Sequence, residues 1–294
     1  MNKTPYIFTE AYNCGLILNK CLESFYKFHP ETQINIFGND ADFKHIEKKD
    51  TFNFISLQDD YELKRHYKEG HSGTAYIFSK VIREFSSGFD YLLHIDSDVI
   101  FRKESLSLID NEILNGYDLI GPRRCYRHNL NGRKDLFNLP DVVQTYFFAF
   151  NKNKISNYDF NILQKMVVGG YNPLGHSFLD YFDPVSFDIL NNGGQVFYLD
   201  FNYVGAQNEL GSRANIFGEI NKHLDFGNNL IHFAGVGSGA KFFFNGIEKA
   251  HKGYAEWALK RFATYYQLYY GIDIGLEKGP ELRLLQEHEA NTKQ

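Results

Sequence analysis

The chain has 294 residues, 43% of them hydrophobic, enough to fill the core of one large α/β domain or two small ones. Its 31 Lys and Arg against 36 Asp and Glu give a net charge of −5, which lacks the basic balance of a nucleic-acid binder. Cys14, Cys21 and Cys125 are odd in number and carry no metal-ligand spacing, which argues against a disulfide framework or a zinc knuckle and for a reducing compartment.

The opening "MNKTPYIFTEAYNCG" enters strand-like sequence directly, without a basic stretch and a long apolar core. No uncharged apolar run of membrane-spanning length follows, so the expectation is a soluble, cytoplasmic protein without a transmembrane segment. "YIFTE" (6–10) predicts a first strand, 15–29 a helix, and "INIFG" (34–38) and "FNFISL" (52–57) two more strands, a βαβ rhythm. Phe78, Val81, Ile82 and Phe85 fall at helical spacing, and Gly88 stops that helix before a strand over 90–95. "YDLIGP" (117–122) and "VVQTYFFAFN" (142–151) read as further strands, giving a doubly wound, mostly parallel α/β sheet flanked by helices. Further on, "DPVSFDILNNGGQVFYLD" predicts a short helix with Pro184 near its start, a Gly193-Gly194 stop and a strand over 196–200. A strand at "NLIHFAG" and an aromatic helix near 249–270, with Tyr254, Trp257, Ala258, Phe262 and Tyr265 on one face, complete the pattern. The tail is polar. The predicted division is one domain over 1–245 and a C-terminal helix and tail over 246–294, packed on it.

"YLLHIDSDVIF" (91–101) carries two carboxylates where an apolar strand should end. In a strand, residues i and i+2 point to the same side, so Asp96 and Asp98 are expected to converge just past its C-terminal end. Two carboxylates that close repel unless a cation lies between them, and Mg²⁺ or Mn²⁺ takes such oxygens while bridging to phosphates. Ligands in open α/β sheets bind beyond the carboxyl ends of the strands. The plainer alternative is one aspartate capping the next segment and the other solvated. "FDYLLHIDSDVIF" resembles the Asp-x-Asp segment of nucleotide-sugar glycosyltransferases of the GT-A fold, where strand, acidic motif and apolar continuation follow in this order. The resemblance covers roughly residues 5–245 and implies a donor site at Asp96, Ser97 and Asp98.

"LIHFAGVGSGAKF" (230–242) sets His232 at a strand end, followed by Gly235, Gly237, Gly239 and Lys241. Glycines let backbone N–H groups approach phosphate oxygens and a lysine adds positive charge, so the segment reads as a cover for a diphosphate. It is not a P-loop, because Ala240 stands where glycine is required. It is similar to the His-x-x-Gly-x-x-Lys segment of glycogenin-like GT-A transferases, which implies His232 as a third metal ligand and Lys241 on the diphosphate. Here the lysine comes later than in that pattern and the following Pro-Trp is missing. A core histidine before a loop is the alternative.

The same resemblance puts the base and ribose at Phe8, Thr9, Glu10 and Tyr12, and sets the helix carrying Lys80 and Arg83 beside the donor. Ordinary strand-end packing and a solvated helix face are the competing readings. Arg123, Arg124, Arg127, Arg133 and Lys134 form a basic run that reads as a solvated loop or as a flap over an acidic acceptor. Asp180 and Asp183 stand before a helix, as does the acidic residue of related transferases, and Asp183 ranks first as a base for the acceptor hydroxyl. Helix capping explains Asp183 equally well. Asp200, Asn202 and Glu209 add sugar or acceptor contacts. The expected activity is metal-dependent transfer of a hexosyl or pentosyl group from a nucleoside diphosphate sugar, of UDP or GDP type, to a glycan or glycoconjugate hydroxyl, with Mn²⁺ or Mg²⁺. The alternatives are a sugar nucleotidyltransferase and a non-catalytic sugar- or partner-binding module.

Overall fold

The computed structural model describes residues 3–11, 14–68, 73–85, 88–124, 141–158, 182–199, 202–203, 223–226, 229–233 and 252–278. The first half runs β1 (Pro5–Ala11), α1 (Gly15–Tyr26), β2 (Ile34–Gly38), α2 (Asp40–Phe43), β3 (Phe52–Ser56), α3 (Tyr61–Lys68), α4 (Gly73–Lys80) and β4 (Tyr91–Ile95). Then come β5 (Val99–Phe101), α5 (Leu106–Leu114), β6 (Leu119–Arg124), β7 (Val142–Val143) and β8 (Phe147–Asn151). The remainder comprises α6 (Asp183–Asn191), β9 (Val196–Leu199), β10 (Asn202–Tyr203), β11 (His223–Phe226), β12 (Leu230–Phe233) and α7 (Lys252–Tyr270).

The main sheet is ordered β3-β2-β1-β4-β8-β6-β7, with β9 beside β6. Strands β3, β2, β1 and β4 are mutually parallel, and β9 is parallel to β6. Lying between β4 and β6, β8 runs against both, so β6 again follows the direction of β4. The run 142–151 is therefore two strands, broken at Gln144–Tyr146 and both antiparallel to β6. The sheet is α/β and mostly parallel, with helices on its two faces. Strand alternation divides its side chains: Ile7, Leu93 and Ile95 pack with Leu18, Leu22 and Phe25 of α1, while Tyr6, Phe8 and Leu92 pack with Ile77 and Phe78 of α4 and Val185 of α6. Burial on both sides is why these strands read as continuous apolar runs.

Helix α3 has no predicted counterpart, since its sequence "YELKRHYK" is mostly polar. It starts because the Asp60 carboxylate accepts the Leu63 N–H at 2.9 Å, an N-cap bond. After α4 the chain continues as a π-helical turn, Val81–Phe85, and Gly88 beyond it has φ +89°.

A second, antiparallel sheet is ordered β10-β11-β12-β5. Its face is covered by α7, where Leu259, Phe262, Ala263 and Tyr266 recur at helical spacing and are buried. Leu259, Phe262, Tyr265 and Tyr266 pack with Ile100 of β5, Ile231 and Phe233 of β12, and Cys14 and Ile17. The buried stripe thus includes Leu259 and Tyr266, absent from the predicted face, while the side chains of Tyr254, Trp257 and Ala258 lie outside the described residues. Tyr266 Oη donates to Glu23 of α1 at 2.7 Å, and Tyr270 Oη donates to the Phe101 carbonyl. The predicted boundary at 245 falls outside the described residues. Among the described residues no helix is long and apolar enough to cross a membrane.

Candidate active site

The chain leaves the main sheet at Ile95 and enters the second sheet at Val99, so Asp96, Ser97 and Asp98 form the turn between the two sheets. The expected strand alternation through Asp96 and Asp98 does not occur, because the strand has already ended. Backbone bonds fix the turn instead. Asp96 N–H donates to the Tyr146 carbonyl at 2.8 Å, and Phe233 N–H donates to the Asp98 carbonyl at 2.9 Å. The Cys21 thiol donates to the Asp96 carbonyl at 3.3 Å. Ser97 N–H closes onto Asp96 Oδ1 at 2.6 Å.

His232 comes from β12, which pairs antiparallel with β5 and sets His232 opposite Val99. That register brings His232 Nε2 to 3.3 Å from Asp98 Oδ1, with both side chains buried. Among the described residues, Asp98 Oδ1 and His232 Nδ1 are buried without a hydrogen-bond partner. The imidazole lies against the Tyr146 ring, with centroids 3.6 Å apart and planes 6° from parallel. Burial, and after it repulsion from Asp98, push the Asp96 carboxyl up to about 7, against the pull of His232 and the Ser97 hydrogen bonds. A site that holds one carboxyl back from ionising beside a second carboxylate favours positive charge.

Carboxylate oxygens suit Mn²⁺ or Mg²⁺ and an imidazole beside them favours Mn²⁺ of the two, and two adjacent ligands of an octahedral ion at about 2.1 Å stand about 3 Å apart, close to the separation of Asp98 and His232. These two residues fit such an ion, and Asp96 adds its charge beside them. Among the described residues no three His, Cys, Asp or Glu side chains meet as a complete ligand group. The expected triad is therefore a pair with a neighbouring carboxyl.

Several expected contacts are corrected. Phe8 is 1% exposed, edge-on to Phe78 at 5.0 Å and beside His94 at 5.1 Å, so no face of its ring is open to a base. Thr9 is fully buried and Glu10 half-buried, leaving Glu10 the better placed of the two to reach a ligand. Lys80 is bound to Asp60 at 3.3 Å and Glu84 at 3.2 Å, and Asp60 also accepts the Tyr76 hydroxyl, so the lysine belongs to an ionic network within the fold. Arg83 bonds back to the Ser79 carbonyl. Asp183 is the first residue of α6, not its cap, and is fully buried, closed to an acceptor hydroxyl. Arg123 pairs with Asp141 at 3.7 Å and lies over Tyr198, as a packed strand residue does. Tyr12, Asp180, Gly235, Gly237, Lys241, Arg127, Arg133, Lys134, Asp200 and Glu209 lie outside the described residues, as do the side chains of Arg124 and Asn202.

Residue reading passed over Tyr146, Cys21 and His94. The polar Gln144-Thr145 break inside "VVQTYFFAFN" was the available signal for Tyr146. His94 is buried among Phe8, Phe78 and Phe148, and its Nδ1–H donates to the Thr145 carbonyl at 2.6 Å. Burial lowers its pKa to about 3, so it is neutral.

No protein-family model matches the chain, and no curated protein matches it. Among solved structures, the chain is similar to the galactosyltransferase LgtC with donor and acceptor sugar analogs, at 16% identity and TM-score 0.48 over 78% of this chain and 87% of that one. It is similar to mouse xyloside xylosyltransferase 1, apo form, at 10% identity and TM-score 0.46, over 71% and 92%. A 4-diphosphocytidyl-2C-methyl-D-erythritol synthase from Anaerococcus prevotii matches at 14% identity and TM-score 0.45, over 73% and 96%. Alignments this distant assign no chemistry to the chain.

Proposed function

We propose that the chain is a metal-dependent glycosyltransferase of GT-A type, moving a hexosyl or pentosyl group from a nucleoside diphosphate sugar to a glycan or glycoconjugate hydroxyl. The meeting of Asp98 with His232 at the end of β4, beside the Asp96 carboxyl, carries this reading. Asp98 and His232 hold the ion, and Asp96 adds negative charge that the ion offsets. The bound Mn²⁺ or Mg²⁺ supplies Lewis-acid stabilisation of the leaving diphosphate. Burial of Asp98 and His232 keeps water from competing for their donor atoms, which strengthens their hold on charge. Of Phe8, Thr9 and Glu10 at the end of β1, Glu10 is the half-buried one and is assigned to the nucleotide. Asp183 is fully buried, so a residue other than Asp183 serves as the acceptor base.

Incubation with nucleoside diphosphate sugars and Mn²⁺ tests the reading. Slow release of nucleoside diphosphate is expected, stopped by EDTA and reduced about 100-fold or more in Asp98→Ala. Release unaffected by EDTA would remove the metal from the mechanism. Donor binding without turnover would identify a binding module, and pyrophosphate release from a nucleoside triphosphate with a sugar phosphate would identify a nucleotidyltransferase.

A further inference from the structure

We infer that Tyr146 is a positioning residue whose ring holds the His232 imidazole and favours its cation-bound form. The inference rests on the metal site proposed above and adds a residue that no metal-ligand pattern contains. The link Gln144–Tyr146 is held along its length. Gln144 N–H donates to the Pro122 carbonyl at 2.8 Å, the Thr145 carbonyl accepts from His94, and the Tyr146 carbonyl accepts from Asp96 N–H. The main chain of Tyr146 therefore anchors the acidic turn, while its side chain lies against the histidine delivered by the other sheet.

The geometry of that contact is specific. Neutral aromatic rings prefer an offset or edge-to-face arrangement to a face-to-face sandwich, because their negative faces repel. The ring pairs around Phe78 follow this preference, with His94 at 4.6 Å and 62° and Phe148 at 5.2 Å and 17°. Tyr146 and His232, at 3.6 Å and 6°, are nearly eclipsed, with a lateral offset of only about 1 Å at ordinary carbon contact. An imidazole whose electrons are drawn toward a divalent cation reverses the sign of this interaction, since the phenol face attracts positive charge. The stack thus costs little in the cation-bound protein and more in the free one. It also fixes the ring plane, so that Nε2 stays aimed at the Asp98 side.

Mn²⁺ alone, with the full chain, is the probe. In metal-free protein the His232 ring C–H signals, assigned by their loss in His232→Gln, are expected to lie upfield from the Tyr146 ring current. Tyr146→Phe keeps that shift and Tyr146→Leu loses it. Mn²⁺ affinity, followed by the paramagnetic resonance of the free ion, is expected to stay within about twofold in Tyr146→Phe and to fall about tenfold in Tyr146→Leu. Because Tyr146→Leu also opens the core, a second series keeps the ring shape: phenylalanines of increasing fluorination at 146 drain the face of negative charge. Stepwise loss of Mn²⁺ affinity along that series, with unchanged melting temperature of the metal-free protein, supports the inference. Equal Mn²⁺ affinity across the fluorinated series, or in Tyr146→Leu, would overturn it while leaving the metal site in place. If the native chain binds no Mn²⁺, both the site and the inference fall.

Discussion

The two sheets of the molecule meet at the Asp96–Asp98 turn but are held in different ways. The main sheet is covered on both faces, and its strands bury large side chains such as Phe8, Tyr91 and Phe147 almost completely. Among the described residues, the small sheet joins β5 to β12 through three residue pairs and is covered by α7, whose tyrosine hydroxyls reach Glu23 and the Phe101 carbonyl. One sheet is a scaffold buried on both faces, and the other delivers His232 through the register of β12 on β5. A site built across the two depends on how both sheets pack at the turn.

The largest effect should come from the scaffold. Phe8→Ala removes a ring packed against Phe37 and Phe78, and is expected to cost about 3–5 kcal/mol in chemical denaturation. If Phe8 instead stacked on a nucleotide base, donor affinity would fall with stability nearly intact.

A smaller effect separates His94 in the scaffold from Asp96 at the junction. His94 titrates near 6.5 when unfolded and near 3 when folded, so only the unfolded chain takes the proton in between. Its contribution to stability is complete above about pH 6.5 and falls as pH drops, by at most about 1.4 kcal/mol per unit. Asp96, raised to about 7, acts oppositely: from about pH 7 down to about 4 the folded chain holds a proton that the unfolded chain lacks, so acid favours folding. The two blunt each other in the metal-free protein. Between pH 7 and pH 5 His94→Gln should therefore lose about 2 kcal/mol less than the native chain, read from urea midpoints at the two values. Equal pH slopes for the two proteins would show that His94 is not buried as a neutral ring.

The smallest effect probes the small sheet. Tyr266→Phe removes the hydroxyl that donates to Glu23 at 2.7 Å and should cost about 1–2 kcal/mol. Hydrogen exchange should rise in β12 and α7 before it rises in β1 or β4. Uniform acceleration across both sheets would mean that they open as one unit.

Much of the scaffold is legible in the residues, because a strand buried on both faces is a continuous apolar run and a helix over it repeats every three or four residues. The runs at 6–10, 34–38, 52–57 and 90–95 correspond to β1, β2, β3 and β4. Helix α3 escaped because one capping bond, not an apolar face, starts it. In the site, side-chain chemistry singled out Asp96, Asp98 and His232. Phe8 and Lys80 are not decided by the sequence, because an aromatic ring near a strand end, or a lysine on a helix, looks the same whether it faces a ligand or a neighbour. Burial against Phe78 and pairing with Asp60 are decided by residues up to 70 positions away.

The sequence by itself determined strands β1 to β4, β6 and β9, helices α1, α4 and α6, and the place of the acidic turn, since these follow from patterns within a few residues. The tertiary structure decided that the chain changes sheets at that turn, that β5 pairs with β12 in the register bringing Asp98 to His232, and that Tyr146 lies flat on the imidazole. Pairing and stacking of this kind depend on which distant surfaces are buried together, and hydrophobic burial is set by the whole packed chain, not by any one segment.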